Sequence, residues 1–521
     1  MKRALTITSI LLISILFICI SVACKKEVSS STQSAPQELT IAYGNDTDAN
    51  SKNGVGDMLL KIFNSDRLVE LVGDEVKPSL AESWDLKDNG QTIVFHLRKD
   101  VKFSDGTPFT ADAVKFTYDR LKKFKLNQWT QIDRIASIEV NGPNTITFHI
   151  KPGQEGFIVL TAFAEYQSSI MSPNSTDPKG DPGAPLANLT GTGPWKVADY
   201  KKNQYTEFVP NPYYYGKKPT LDKVTVKYIP QAQARVLAIQ SGSVDAVVDY
   251  YHGGSSYTPR NMLKTLQDQG FQVLKKELPM TVVLACNYKK APWNNVEVRQ
   301  GLNYAVNKDD VAALFDGWLT PAKTRMFSDL APFIVESGEQ EYPFNLDQAA
   351  KMFKEAGLTG DTKINLMAQG QNPDEVKLCE LIKSQLAKTG LNVQLDVLES
   401  GLYSDRQKNG DWDLRVYYIG GPERRKYTRI AGRFDPDSAE FGPAGYFTSP
   451  ELIPSLRKAV GSFNQEEREE NFKVFYNKAK DLAGGVPLYY DAVFVVAKQN
   501  VKNIEYVSTE PRFDNVFIAN K

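Results

Sequence analysis

Apolar and polar positions follow two periods along this chain. Over Thr92–Arg98, Ile93, Phe95 and Leu97 alternate with Val94, His96 and Arg98, the period of two that sets one face of a strand against a core. Just before it, Lys87-Asp88-Asn89-Gly90 supplies a tight turn, because an Asn-Gly pair tolerates positive φ. Ser104–Pro108 (SDGTP) is a second turn. A helix then opens at Thr110 as N-cap, with Asp112 in the first turn, where the helix dipole favours a carboxylate, and Val114, Tyr118 and Leu121 at helical spacing. Leu80–Tyr118 is therefore predicted as one strand–turn–strand–turn–helix unit.

The same two periods organise the rest. A strand is predicted over Glu38–Tyr43, a helix over Met58–Val72 from Leu59/Leu60, Ile62/Phe63, Leu68 and Leu71, and two strands within Asp133–Ile150 around the turn Asn141–Asn144. Lys151–Pro173 reads as helical and Ser172–Thr190 as a surface connection. Gly191 and Gly193 bound a close backbone approach before the strand Trp195–Tyr200. Further on, a helix with Val236, Leu237 and Ile239 as its apolar positions, a Ser-Gly stop and a short buried strand form a βα repeat. Thr281–Asn287 is an apolar strand, Val296–Lys308 a helix with Val298, Leu302 and Ala305 inward, and Asn345–Gly357 a capped helix. Strands at Ile364–Met367, Val393–Val397 and Asp413–Ile419 alternate with Asp374–Lys388 before the long helix Gln465–Leu482. Val486–Tyr490 and Ala492–Lys498 close the series. The fold class is α/β, and 521 residues call for two or three domains.

Charge adds an exclusion. The 62 basic residues match the 62 acidic ones, so no bulk field draws the chain to nucleic acid. The first residues stand apart: Lys2 and Arg3 precede an uncharged run from Ala4 to Ala23, the form of a secretory signal or of an uncleaved anchor. Of four cysteines, Cys19 and Cys24 fall in this leader. Cys286 lies in an apolar run and Cys379 in a predicted helix, and both read as buried hydrophobes.

Nothing in the pattern supports a reaction centre. The three histidines, His96, His149 and His252, lack metal-ligand spacing, and neither a GxSxG elbow nor a Ser-x-x-Lys pair occurs. No cofactor is implied, and the chain reads as a non-enzyme.

The stretch AESW, an Asn-Gly turn, FHLR, VKFSDGTPF and AVKFTYDR, joined by GTGPWKVADY, NPYYYGKKPTLDKV and ARVLAIQSGSVDA, resembles the peptide/nickel class (family 5) of extracytoplasmic solute-binding proteins, the capture components of ABC importers. The resemblance runs over nearly all of residues 38–521. It implies a two-lobed periplasmic-binding-protein-like fold (type II, large cluster) with an extra inserted α+β subdomain in the first lobe. Lobe I would take residues 38–75, 191–284 and 495–521, the inserted subdomain 76–190 and lobe II 285–494. Ser21-Val22-Ala23-Cys24 resembles a lipobox, so residues 1–23 would be a signal peptide, Cys24 the lipidated residue and 24–37 a flexible tether. That puts the protein outside the cytoplasmic membrane, as a lipid-anchored monomer working with permease subunits.

Within the family the chain looks closest to the nickel-binding subgroup, as in GLNYAVNK at Gly301–Lys308. Trp129, Tyr403 and Thr509 fall where that subgroup places ligand-facing side chains. After the strand Asp413–Ile419, however, no histidine follows, and the aspartate common in peptide binders is absent. Arg424, Arg425, Lys426, Arg429 and Arg433 stand there instead. They read either as a solvated basic face or as guanidinium groups, Arg424, Arg425 and Arg429 foremost, that hold a ligand carboxylate bidentately. Tyr251 and His252 form a second candidate patch, with His252 a possible metal contact. The implied ligand is a small peptide or opine-like carboxylate, or alternatively a nickel or other metal chelate. An adhesin or sensor reusing the fold is the alternative class.

Overall fold

The computed structural model describes residues 36–47, 58–125, 131–176, 189–249, 258–323, 326–334, 342–438, 441 and 446–519, and Gln37–Lys521 form one compact unit. The leader and Cys24 lie outside the described residues. Among those described, no helix is long and apolar enough to cross a membrane.

An eleven-stranded sheet is the frame. Its order runs Asn392–Leu398, Lys363–Gln369, Leu414–Gly420, Gln272–Cys286, Gly485–Ala497, Ala246–Val248, Glu38–Tyr43, Lys223–Tyr228, Tyr205–Pro210 and Trp195–Lys201, with Thr320–Pro321 paired to the side of Gly485–Ala497. Two long strands at its centre, Gln272–Cys286 and Gly485–Ala497, pair antiparallel from Gln272↔Ala497 to Ala285↔Gly485. They are longer than the apolar runs that announced them. On one side lie the strands from residues 38–248, on the other those from residues 363–420. The register shifts between Glu277 and Thr281 and again between Val282 and Val283, so the ladder is interrupted at mid-length.

The unit read from Leu80–Tyr118 forms as predicted. Ala81–Lys87, Thr92–Leu97, Thr145–Ile150 and Ile135–Val140 make a separate four-stranded sheet in that order, backed by the helix Ala111–Lys123. Its apolar face, with Ile93, Phe95, Ile146 and Phe148, shares one continuous core with the helices Lys426–Phe434, Ile453–Gly461 and Gln465–Leu482.

Three local expectations are corrected. The helix predicted over Met58–Val72 stops at Asn64. The glycines explain it: the Gly193 N–H bonds the Asn64 carbonyl at 3.0 Å, and a Cβ on Gly191 would lie 1.9 Å from that same oxygen. With the Asn64 carbonyl engaged elsewhere, Val69–Val72 pairs instead as a strand with Glu75–Pro78. Lys151–Pro173 is α-helical only over Phe157–Ala162, with a 3₁₀ turn at Tyr166–Ser168 beyond it, where Glu165 and Gln167 meet Arg425 and the Tyr166 hydroxyl meets Glu510. Leu237 is 65% exposed, while its neighbours Val236 and Ile239 are buried.

Candidate ligand cleft

The segment that follows the strand Leu414–Gly420 holds the basic residues, and it is buried. Glu423–Arg425 form one turn of 3₁₀ helix, and every residue of the helix Lys426–Phe434 is buried. A buried guanidinium requires acceptors, and Arg424 and Arg425 find them on distant parts of the chain. Arg424 donates from Nε to Glu510 and pairs through Nη1 with Glu70. Glu510 also accepts the Tyr166 hydroxyl at 2.7 Å, and Glu70 accepts Arg67 Nη2 at 2.8 Å. Arg425 Nε donates to Glu165 Oε2 at 2.7 Å and its Nη2 to Gln167, while Thr428 Oγ1 donates to the other Glu165 oxygen at 2.9 Å. Lys426 Nζ lies 2.7 Å from Asp74 Oδ1, which also accepts the Tyr427 hydroxyl at 3.0 Å.

Glu423 completes the junction. It accepts the Gly73 N–H at 2.6 Å and the Ser508 hydroxyl at 2.5 Å, and its own N–H donates to Thr509 Oγ1 at 3.2 Å. The guanidinium carbons of Arg67, Arg424 and Arg425 stand 5.7, 5.9 and 5.7 Å from the centroid of the Tyr166 ring. One phenol thus sits among three cations, an arrangement its negative ring face favours. Burial raises Glu510, but Arg424 and Arg67 outweigh it and hold the carboxyl below its ordinary range, so it is ionised.

The structure distributes the residues singled out from sequence. Thr509 joins the Glu423–Arg424 turn, as described above. Arg429 is 8% exposed and packs with its Cγ against Gly421. Tyr403 is buried elsewhere: its hydroxyl lies 3.5 Å from the Val416 carbonyl, near Arg415, and burial pushes it up to about 12. Trp129, Tyr251 and His252 lie outside the described residues. One expectation changes in substance. Neither a solvated basic face nor free guanidinium groups are found at Arg424 and Arg425; the carboxylates they hold are Glu70, Glu165 and Glu510 of the same chain. The sequence signal that could have found these partners is an acidic residue inside an apolar run, as in Leu68-Val69-Glu70-Leu71 and Phe163-Ala164-Glu165-Tyr166.

A second polar site lies beside the central strand Gly485–Ala497. Arg260, Asn372, Asp374, Glu375, Tyr418 and Asp491 line a cavity of about 20 Å³, room for one water. Arg260 Nη1 bonds buried Asp249 at 3.1 Å and Nη2 bonds the Ala492 carbonyl at 2.9 Å. Burial pushes Glu375 up to about 7, against the Gln369 N–H and Asn372 amide that favour its charge. Among the described residues, no three His, Cys, Asp or Glu side chains group to hold a metal ion. His96 and His149 instead pair with Asp85 at 3.0 Å and Glu139 at 3.2 Å on the smaller sheet.

Comparison with known proteins agrees with this architecture. The family model described as bacterial extracellular solute-binding proteins, family 5 middle, matches residues 75–431. Heme-binding protein A of Haemophilus influenzae is 26% identical over 491 residues, covering 87% of this chain and 86% of that one. The dipeptide-binding protein of Escherichia coli is 27% identical over 470 residues, covering 84% and 85%. The crystal structure of NikA from Brucella suis in complex with Fe(III)-EDTA superimposes with a TM-score of 0.80 at 24% identity, covering 92% of this chain and 99% of that one.

Proposed function

This chain belongs to the bacterial extracellular solute-binding proteins of family 5, and from that premise we propose that it captures a small peptide or peptide-like carboxylate between its two lobes and delivers it to the permease of an ABC importer. The observation that carries the reading is the pair of crossing strands. Two extended strands with interrupted register are a connection across which two lobes can close by hinge motion. A ligand that binds the closed arrangement better than the open one shifts the population toward it, which converts capture into a signal for a permease. The ion pairs that draw residues 423–426 onto Glu70, Asp74, Glu165 and Glu510 support a closed arrangement of the same kind. The dipeptide-binding relative that aligns over most of the chain supports the peptide reading, and the nickel-binding periplasmic protein of Escherichia coli, 26% identical over 464 residues, supports a metal chelate as the second. The protein performs no chemistry on its ligand. It is held outside the cytoplasmic membrane by lipid on Cys24.

A native mass spectrum of the protein purified from its own host tests this. The expected result is a one-to-one adduct that releases a small peptide on denaturation. Stoichiometric nickel, or a metal bound through an organic chelator, would replace the peptide reading with the chelate one.

A further inference from the structure

A groove of about 540 Å³ opens where three stretches of chain meet: the turn at Asn89, the pair Glu155-Gly156, and the corner between the helices Ile453–Gly461 and Gln465–Leu482. That volume is within the roughly 300–1,000 Å³ of sites that hold small molecules. None of residues 423–426 lines it, nor does any residue of the small cavity at Arg260. Its walls are fixed by close packing. Gly90 meets the Phe463 ring so closely that no Cβ fits, and a Cβ on Gly156 would stand 2.9 Å from the Gly461 carbonyl oxygen. Arg468, 4% exposed, ties the corner down. Its Nη1 donates to the Ser462 and Phe463 carbonyls at 3.2 and 3.0 Å, and its guanidinium carbon lies 3.7 Å from the centroid of the Phe157 ring.

Two opposite charges line this groove without satisfying one another. Glu155 Oε2 is buried and has no hydrogen-bond partner among the described residues. Lys458 is exposed at the groove and pairs with no carboxylate among the described residues. The other charges there are engaged: Arg457 donates from Nε to Asp435 at 2.8 Å, and Glu467 accepts the Ser462 hydroxyl at 2.6 Å. A buried acceptor left without a donor is costly. A molecule that carries both an ammonium and a carboxylate would complete both groups at once, and Asn89 and Asn464 add side-chain amides, which both donate and accept. We propose that the groove is a binding site for a small zwitterion, an amino acid or a short peptide, whose ammonium donates to Glu155 and whose carboxylate pairs with Lys458. Asn89 and Glu155 belong to the smaller sheet unit and Lys458 to a helix that shares its core, so an occupant that spans the groove strengthens the contact of the two. The site goes beyond the capture reading and does not depend on it.

The test is calorimetric titration and thermal melting of the purified full chain with alanyl-alanine, with acetyl-alanyl-alanine, which keeps only the carboxylate, and with alanyl-alanine amide, which keeps only the ammonium. Alanyl-alanine is expected to bind and to raise the midpoint, and each capped probe to bind about tenfold more weakly, the effect of one charged hydrogen bond. Glu155→Gln and Lys458→Met should melt like the wild type without probe, and each should weaken the same alanyl-alanine binding event about tenfold. A second event that neither variant changes would support the capture reading beside the groove. A single event that both variants weaken would keep the groove and count against capture of a dipeptide. The groove is overturned if alanyl-alanine does not bind, if the three probes bind the wild type equally, or if either variant leaves every binding event unchanged. Alanyl-alanine binding that ignores both variants would remove the groove and keep the capture reading.

Discussion

Arg425 donates from Nε to Glu165 Oε2 at 2.7 Å across 260 residues of chain, and both side chains are withdrawn from water. Gln167 and Thr428 take up the neighbouring hydrogen-bonding positions, so the pair is satisfied where it is buried. A pair of this kind stabilises little on balance, because desolvation offsets the attraction. What it does is fix which segments meet.

Removing one partner should therefore cost far more than removing both. Arg425→Met alone and Glu165→Leu alone are each predicted to lower stability by about 3–5 kcal/mol, since each strands a buried charge. The double variant Arg425→Met/Glu165→Leu is predicted to recover more than half of that loss. Urea unfolding of the four proteins checks it, and additive losses would show that the two side chains act independently.

The approach of Gly191 to Asn64 makes a second prediction. Gly191→Ala places a Cβ 1.9 Å from a backbone oxygen that belongs to a packed helix end. A loss of about 3 kcal/mol or a failure to fold is expected, at the upper end of overpacking effects. Gly401 is the contrast: it sits in the helix Ser400–Asn409, and a Cβ there meets nothing within 4 Å. Gly401→Ala is predicted to stabilise by about 0.5–1 kcal/mol through helix propensity, which thermal melts of the two variants would compare directly.

Glu375 gives the chain a pH dependence. Burial raises its folded-state value to about 7, above the 4.5 of an unperturbed glutamate, so the folded protein holds the proton more tightly than the unfolded chain does. The stability this contributes is fully present below pH 4.5 and is lost as the pH rises through 7, about 3 kcal/mol in all. Glu375→Gln keeps an acceptor for the Gln369 N–H and removes the titration. The difference in stability between wild type and variant should grow from pH 5 to pH 8 in the variant's favour, as measured by urea unfolding at each pH. A constant difference would show that Glu375 does not titrate in this range.

What the sequence determined by itself was the local framework and the family. The period of two over Thr92–Arg98, the Asn-Gly turn before it and the capped helices each depend on residues within a few positions of one another, so they can be read in order along the chain. The helix Gln465–Leu482 forms within the bounds its pattern predicts, and the family signature lay in such stretches. Elements that a distant segment overrides could not be read so. The end of the first helix at Asn64 is set by Gly191 and Gly193, more than 120 residues away, and the short helix Phe157–Ala162 ends where Glu165 and Gln167 are needed by Arg425. The candidate site was legible only as a set of residue types. Thr509 does meet the basic turn, yet Tyr403 is buried beside Arg415, and of the acidic partners Glu70 and Glu165 are single charges in apolar runs while Glu510 follows Thr509 in a polar one. Whether a guanidinium faces solvent, a ligand or a carboxylate of its own chain depends on which groups the fold brings within 3 Å. Only the tertiary structure decides that, because the energy of a charge is set by its surroundings and not by its neighbours in sequence.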